Sequence, residues 1–196
     1  VKLRKILRAK RQALSPVEQR LHARSAARHF VGSPFLLRYS RIAVYIANNG
    51  EIDPAPIAAR IRECGKNIYL PVLQSAPKQA LWFCEYPKGE ALHLNRFGIP
   101  EPDSKKHRLL PAWALDLILM PLVAFDSSGN RLGMGGGFYD RTLSYLHQRS
   151  YWQRPSLVGL AHACQEVMEI KPNPWDVPLD GVITESGFLK FPVSGR

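Results

Sequence analysis

Large apolar residues recur at helical spacing in the first part of the chain. Residues 3–14 carry four of them among basic residues, which predicts a first helix with one apolar stripe. Ser15, Pro16 and Glu18 then have the form of an N-cap, a first-turn proline and a capping-box acid. We therefore predict a second helix from residue 16 to about residue 31. Its expected core-facing residues are Leu21, Ala27, Phe30 and Val31.

Runs of β-branched and aromatic residues, which are typical of strands, begin at residue 41. The run 41–47 stops at an Asn-Asn-Gly sequence, as expected for a buried strand that enters a turn. Asp53 before Pro54 has the form of a helix cap, and residues 67–70 form the next strand pattern, which completes a βαβ unit. The inward residues of the intervening helix are expected to be Ile57, Ala58 and Ile61.

The same alternation continues to the end of the chain. Strand patterns occur at 80–85, 117–120, 157–161 and 181–184, and a helix pattern occurs at 139–146. The stretch 71–111 contains six prolines and only the strand 80–85, so we expect mostly loops there. The alternation predicts an α/β fold with a mainly parallel sheet and helices on both faces, a Rossmann-like three-layer arrangement preceded by basic N-terminal helices. A length of 196 residues fits a single domain, 1–196.

The composition, 45% hydrophobic and 22% charged, is that of a globular protein. The cysteines at 64, 84 and 164 form no Cys-x-x-Cys pair, which predicts buried thiols in a reducing compartment and argues against zinc. The longest apolar stretch, 117–125, is shorter than the ~20 residues of a membrane span. No hydrophobic signal core follows the first residue. We expect a cytoplasmic monomer that has no membrane contact.

Most of the formal net charge of +11 lies in residues 1–41. That segment holds eleven Lys and Arg against one acid, whereas the rest of the chain holds sixteen against fifteen. A basic arm suits nucleic acid, an acidic substrate or plain solvent, and an Arg-rich, acid-poor start is also typical of a transit peptide. The arm lacks the interleaved aromatic residues of a single-strand binder, so we do not expect a nucleic-acid partner.

The segment 126–141 carries the clearest chemical pattern, because four of the five residues 133–137 are glycine and a helix pattern follows. Exposed backbone N–H groups at such a turn suit phosphate, although a glycine-rich turn can also be merely flexible. The Arg131 guanidinium would add several N–H donors for phosphate, and the Asp140 carboxylate would offer an oxygen ligand for magnesium. A Walker loop is absent, since no glycine is followed by lysine and a hydroxyl residue, and a dinucleotide fingerprint needs glycine where Phe138 stands.

Several pieces of the sequence together match the pattern of one known family. They are Pro121-Leu-Val-Ala-Phe-Asp126, Gly129-Asn-Arg-Leu-Gly-Met-Gly-Gly-Gly-Phe-Tyr-Asp-Arg141, Leu3-Arg-Lys, Lys10-Arg-Gln-Ala-Leu-Ser15, Gly50-Glu-Ile-Asp53 and Trp175-Asp-Val-Pro-Leu-Asp180. In this order they closely resemble the 5-formyltetrahydrofolate cyclo-ligase family, also called 5,10-methenyltetrahydrofolate synthetases, over most of the chain outside its proline-rich middle. The resemblance implies ATP-dependent cyclisation of 5-formyltetrahydrofolate to 5,10-methenyltetrahydrofolate, with ADP and phosphate released after phosphoryl activation of the formyl oxygen.

The resemblance also implies an ATP site. The family binds ATP through an N-terminal Lys-x-x-x-Arg and the glycine-rich segment. The lysine of that pattern falls immediately before Val1, so either it precedes the given sequence or Lys2 or Lys5 substitutes for it. Arg131 is the expected catalytic residue, since it would neutralise phosphate charge. The implied ATP-binding residues are Arg4, Arg131, Leu132, Gly133, Met134, Gly135, Gly136, Gly137, Phe138 and Tyr139.

Folate and magnesium sites follow from the same resemblance. Magnesium would be held by Asp140 and Asp180, and Glu51 would orient the folate. Phe138 stands where many members have tyrosine, so only stacking or packing is expected from it. The implied substrate-binding residues are Ile46, Glu51, Met134, Gly135, Gly136, Gly137 and Phe138.

Each of these assignments has a plainer alternative. Glu51 could be an acid that precedes a helix, Asp180 a turn cap, and Arg4 a solvated base. The whole chain could instead be a non-catalytic RNA-binding module, or a sugar-phosphate isomerase or acyl-CoA transferase on the same kind of sheet. Consumption of ATP separates these enzymes from the ligase.

Overall fold

The computed structural model describes residues 2–73, 80–95, 98–148 and 155–192, without the side chains of Lys2 and Gln148. Its α-helices follow the predicted pattern closely. They are α1 (Lys2–Gln12), α2 (Pro16–Gly32), α3 (Phe35–Arg38), α4 (Ala55–Glu63) and α5 (Phe138–Leu143). Short 3-10 turns lie at Ala112–Ala114, Ser144–Gln148 and Ala163–Gln165. No helix in these described ranges is long and apolar enough to cross a bilayer.

The start of α2 confirms the predicted capping box. Ser15 Oγ accepts a hydrogen bond from the N–H of Glu18 at 3.2 Å, and the Ser15 N–H donates to Glu18 Oε2 at 2.7 Å. Two N–H groups at this helix end, which the helix itself leaves without partners, are thereby satisfied.

Five parallel strands form the centre of the main sheet. The strands of the chain are β1 (Arg41–Ala43), β2 (Asn67–Leu73), β3 (Leu81–Glu85), β4 (Leu92–Leu94), β5 (Pro100–Pro102), β6 (Leu109–Leu110), β7 (Leu117–Pro121), β8 (Ala124–Phe125), β9 (Arg131–Leu132), β10 (Ser156–Leu160), β11 (Gly181–Ile183) and β12 (Phe188–Lys190). Eight of them have the order β12-β11-β10-β7-β1-β2-β3-β6. From β11 to β2 neighbouring strands are parallel, while β12 and β3 pair antiparallel at the two sides.

Alternate residues of the central strands enter two separate cores, one on each face of the sheet. On one face Ile42, Leu119 and Val158 pack under α2, α3 and α4, while on the other Ala43, Met120 and Leu157 pack under α5 and the 3-10 turns. This alternation is the period-two pattern that a strand buried on both faces requires. The predicted α/β fold with a mainly parallel sheet and helices on both faces is confirmed.

Several sequence predictions about the fold were wrong in detail. The core face of α2 consists of Phe30 and the alanines 23, 26 and 27, whereas Leu21 and Val31 are exposed, because small side chains allow α2 to lie close against α4 and the sheet. The region 71–111 contains β3 to β6 rather than a single strand, and β1 ends at Ala43 rather than residue 47. Of the three cysteines predicted to be buried, Cys64 and Cys164 are exposed.

Gly159 lies in the middle of β10, where neighbouring side chains leave too little room for a Cβ. A Cβ there would lie 2.6 Å from Leu122 Cδ2, 3.0 Å from Leu179 Cδ1 and 3.0 Å from Val182 Cγ2. We predict that Gly159→Ala lowers the free energy of unfolding by about 1–3 kcal/mol through overpacking. Chemical denaturation measures this change.

Gly32 is the matched control for Gly159, since it ends α2 and has no atom within 4 Å of an added Cβ. Gly32→Ala should leave stability unchanged or raise it by up to about 1 kcal/mol, because alanine favours the helix. Equal effects of the two substitutions would contradict the packing argument.

Candidate active site

A cleft of about 550 Å³ opens beyond the carboxyl end of β1. The segment 44–51 forms one wall, and the beginning of α4 with Arg62 and Tyr86 forms the other. Ile46 and Glu51, the two predicted substrate residues outside the glycine-rich turn, both line this cleft. Its position agrees with the rule that ligands of open α/β sheets bind at the carboxyl ends of the strands.

Glu51 lies at the mouth of this cleft in contact with a fully buried arginine. Arg11 of α1 donates from Nε to the Asn49 carbonyl at 3.0 Å and from Nη1 to the Leu122 carbonyl at 3.0 Å. Its Nη2 lies 3.4 Å from Glu51 Oε1, and the other Glu51 oxygen accepts a hydrogen bond from the Asn48 N–H at 3.1 Å. The plainer interpretation of Glu51 as a helix-preceding acid therefore does not describe its contacts.

The surroundings of Glu51 are poorly solvated. Burial raises the pKa of Glu51, although Arg11 opposes this effect. Burial also lowers the pKa of the Arg11 guanidinium against the attraction of Glu51. The pKa values of Tyr45 and Tyr139 are raised by burial first and by the negative charge of Glu51 second. A carboxylate in such an environment gains strongly from any further N–H donor that a ligand brings.

Gly50 allows the C-terminal end of α1 to pack closely against the turn before Glu51. It has a φ of 75°, and a Cβ on it would lie 3.1 Å from the Arg11 carbonyl oxygen and 3.3 Å from the Gln12 Cα. The turn before Glu51 therefore needs a residue without a side chain, both for its conformation and for the approach of the helix.

The glycine turn, residues 133–137, is held in place by the loop that precedes it. The buried Asp126 accepts hydrogen bonds from the N–H groups of Ser128, Asn130 and Ile170 at 3.0, 3.0 and 2.8 Å. The hairpin of β8 and β9 then leads into the turn. Gly135 and Gly137 have φ values of 102° and 62°, which glycine adopts without strain, and residues 133–136 are exposed.

The first helix also contacts the glycine turn. Arg4 Nε donates to the Gly133 carbonyl at 2.9 Å, across 129 positions of sequence. Arg11 lies two turns further along the same helix and contacts Glu51. Leu7, between them, packs into a small core with Val123, Ala124 and Ile170. Helix α1 thus joins the predicted ATP residues to the predicted folate residues.

Arg131 and Asp140 form an ion pair inside the protein. Arg131 Nη2 lies 2.6 Å from Asp140 Oδ1, and its Nη1 donates to the Val177 carbonyl at 2.9 Å. Burial lowers the pKa of Arg131, whose side chain is 6% exposed, while the charges of Asp140 and Asp176 oppose this shift. The second carboxylate that acts on Arg131 is thus Asp176, which sequence reasoning did not select.

The described contacts of Asp180 differ from those of Asp140. Its Oδ2 accepts a hydrogen bond of 2.6 Å from the Leu157 N–H at the beginning of β10, and its own N–H donates to the Leu157 carbonyl. These contacts lie at the amino end of the parallel strands, whereas Asp140 pairs with Arg131. The two aspartates thus differ in their described contacts, and their joint role as magnesium ligands stays a prediction.

The remaining predicted residues lie in or beside the glycine turn. Met134 is exposed, Leu132 and Tyr139 are half-buried, and the Phe138 ring packs partly on the core and lies 5.2 Å from the Arg141 guanidinium carbon. The sequence analysis missed Arg11. Its single signal was its place within the matching piece 10–15, because a basic residue in a basic helix gives no sign of burial.

Comparison with known proteins agrees with this arrangement. The sequence model of the 5-formyltetrahydrofolate cyclo-ligase family matches residues 1–185. The chain is 39% identical over 181 residues to the 5-formyltetrahydrofolate cyclo-ligase of Escherichia coli (strain K12), an alignment that covers 92% of this chain and 97% of that protein. The protein of the same name from Haemophilus influenzae is 38% identical over 181 residues, with 92% and 95% covered.

A solved structure gives the same result in three dimensions. The NMR structure of Aquifex aeolicus 5,10-methenyltetrahydrofolate synthetase matches with a TM-score of 0.82 at 28% identity, and the match covers 100% of this chain and 93% of that chain. The family match spans the N-terminal helix, the cleft and the glycine turn together. This chain belongs to the 5-formyltetrahydrofolate cyclo-ligase family of enzymes.

Proposed function

We propose that this protein uses MgATP to cyclise 5-formyltetrahydrofolate to 5,10-methenyltetrahydrofolate, releasing ADP and phosphate. One observation carries the proposal: α1 contacts the glycine turn through Arg4 and the cleft through Arg11. The two implied sites are therefore parts of one surface at the carboxyl edge of the sheet. Relatives that share this chain's full length bear the names of the cyclo-ligase and the synthetase.

The glycine turn is the proposed site for the ATP phosphates. Its exposed backbone at residues 133–136 offers N–H donors, and Arg4 on α1 lies against it. Arg131 is proposed to supply the charge that balances the transferred phosphoryl group, as the residue that we expect to be catalytic. Its guanidinium donates to Asp140 and to the Val177 carbonyl, and these two contacts use two of its five N–H groups.

Asp140 is the proposed protein ligand for magnesium. It offers a carboxylate oxygen beside the turn and is 24% exposed, which suits a cation that keeps several waters and takes one or two carboxylates. When bound, magnesium would neutralise phosphate charge. The other predicted ligand, Asp180, accepts a hydrogen bond from the Leu157 N–H at the amino end of the parallel strands, whereas Asp140 directly follows the glycine turn, so Asp140 fits the role better.

The cleft beside Glu51 is the proposed folate site. The pteridine ring carries N–H donors, and a poorly solvated carboxylate is a strong acceptor for them. Glu51 would thereby fix the orientation of the ring, while Ile46 supplies apolar contact in the same cleft. The protein's contribution is to hold the formyl oxygen toward the ATP phosphates.

The reaction then needs no nucleophile from the protein. The formyl oxygen attacks the γ-phosphorus and ADP leaves. N10 of the folate next attacks the activated formyl carbon and loses its proton. The C–O bond breaks as the methenyl bridge forms, and phosphate leaves and can carry this proton away. The described residues contribute orientation and charge to these steps, as phosphoryl transfer requires.

The RNA-binding alternative explains fewer observations. Leu7 is 3% exposed and the Arg11 side chain is fully buried, so part of the basic arm is internal to the fold. A non-catalytic RNA-binding module also leaves the cleft beside Glu51 unexplained.

A direct assay tests the proposed function. Purified protein mixed with MgATP and 5-formyltetrahydrofolate should form the light-absorbing methenyl product together with an equal amount of ADP. The same mixture without ATP should give no product. Product formation without ATP consumption, or no product at all, would overturn the proposal and reopen the isomerase and transferase alternatives.

Glu51→Gln tests the folate site. We predict that kcat/KM for folate falls about tenfold to a hundredfold, as expected for one hydrogen bond to a charged group, while ATP binding is retained. Because burial raises the pKa of Glu51, wild-type kcat/KM should fall on acidification through a pKa above 4.5, and the glutamine variant should lack this dependence. Steady-state kinetics against pH measure both effects.

Asp53→Asn is the control for Glu51→Gln, since Asp53 lines the same cleft but caps the Ala55 N–H. Its kcat/KM should stay within about threefold of wild type. Normal kinetics of Glu51→Gln with a large fall in Tm would show that Glu51 serves only to balance Arg11.

Asp140→Asn tests the magnesium site. We predict that half-maximal activity requires about tenfold more magnesium, with partial rescue at excess, because the amide removes one of the charges that hold the cation. Asp180→Asn should instead keep the wild-type magnesium titration and lose about 1 kcal/mol of stability. If both variants need more magnesium and both are rescued by it, the two-aspartate site predicted from the sequence is correct.

A further inference from the structure

Three side chains from distant parts of the chain meet beside the cleft, outside the proposed nucleotide and folate sites. They are His22 on α2, His162 after β10 and Glu185 after β11. His22 Nδ1 lies 2.9 Å from His162 Nδ1 and 3.6 Å from Glu185 Oε1. Their potential ligand atoms all lie within 4.8 Å of one another.

The hydrogen-bond contacts of His162 determine which of its two ring nitrogens carries the proton. Nε2 lies 3.2 Å from the Gly50 carbonyl oxygen, and because a carbonyl can only accept, Nε2 must carry the proton. Nδ1 of the neutral ring then directs a lone pair toward His22 Nδ1. Two imidazole nitrogens at 2.9 Å need a proton or a metal cation between them, since two facing lone pairs repel.

The cluster is held by surrounding hydrogen bonds. Both Glu185 carboxylate oxygens accept from the Ala163 N–H, at 3.2 and 3.0 Å, which fixes the carboxylate. The bond from His162 Nε2 to a backbone carbonyl is the outer contact that metal-binding histidines usually make, because it fixes the ring and its tautomer. The His162 side chain is fully buried, and burial lowers its pKa.

We propose that His22, His162 and Glu185 bind one divalent transition-metal ion of the Zn²⁺ type, with water as the fourth ligand. A tetrahedral site with Zn–N bonds of about 2.0–2.1 Å places two nitrogen ligands about 3.3 Å apart. The observed 2.9 Å and 3.6 Å lie within a few tenths of an ångström of that spacing. Two imidazoles and one carboxylate suit Zn²⁺ better than Mg²⁺, which takes oxygen ligands.

The charged groups around the cluster act on a cation in opposite directions. Glu185 supplies one negative charge, while Arg11 is the basic residue that opposes a cation at His162. His29 Nε2 lies 3.2 Å from the Glu185 main-chain carbonyl oxygen. The bound ion would tie α2 to the ends of β10 and β11, and through Gly50 to the turn that carries Glu51. This inference does not depend on the proposed reaction.

Metal titration of the full-length protein, freed of metal by a chelator, tests the site. Zn²⁺ should bind saturably with one ion per chain by calorimetry and should raise Tm, because it binds only the folded state. Co²⁺ in its place should give the visible absorption of a tetrahedral complex, while Mg²⁺ should not compete. Binding should weaken on acidification, because protons compete with the metal for its ligands.

Variants identify the ligands. His22→Gln, His162→Gln and Glu185→Gln should each weaken Zn²⁺ binding at least about tenfold and abolish the tetrahedral Co²⁺ spectrum. If the buried His162 variant fails to fold, His22, whose side chain is 23% exposed, and Glu185 still decide the question.

Two controls exclude binding by neighbouring groups. His29→Gln should bind Zn²⁺ like the wild type, because His29 contacts the main chain of residue 185 and not its carboxylate. Cys164→Ser removes an exposed thiol next to Ala163 and should also bind normally. Absence of saturable binding in the wild type, unchanged binding in the three ligand variants, or loss of binding in Cys164→Ser would overturn the proposal.

Discussion

The proposed site depends on the hydrogen bonds and the ion pair of the buried Arg11 guanidinium. A charge removed from water costs several kcal/mol unless it is paired and fully hydrogen-bonded, and Arg11 meets this demand with two backbone carbonyls and the Glu51 carboxylate. These partners belong to the turn after β1 and the segment after β7. One side chain therefore attaches α1 to two neighbouring strand ends and holds Glu51 in the cleft. The other parts of the proposed site are positioned relative to this contact.

The glycine turn depends on the same helix at its other end. Arg4 binds the Gly133 carbonyl, and Leu7 packs below it, so the turn and the cleft share one rigid support. On its far side the turn is followed by Asp140, which Arg131 holds from inside the protein. The exposed backbone of residues 133–136 thus lies between two fixed points. Positioning of this kind is what a phosphoryl-transfer reaction asks of a protein.

Much of the secondary structure followed from local pattern alone. The capping box at Ser15, the apolar runs of β7 and β10 and the glycines before α5 are signals carried by neighbouring residues, and each appears in the structure. The region 71–111 was predicted poorly because its prolines mask short strands: β4 and β5 form a separate two-stranded sheet, and β6 lies at the edge of the main sheet. The core face of α2 was misjudged because large apolar residues were preferred over the alanines that close packing selects.

The sequence by itself determined the α/β class, the family and the segments that carry the chemistry, because these depend on residue types within short windows. Only the tertiary structure decided how charged side chains are paired. Arg11 and Glu51, and His22 with His162 and Glu185, are far apart in sequence, and no local pattern states which of them meet. The role of such a residue depends on its burial. An arginine on the surface is solvated, whereas a buried arginine holds neighbouring segments together through its hydrogen bonds. That difference is set by the path of α1 across the strand ends, which exists only once the sheet has formed.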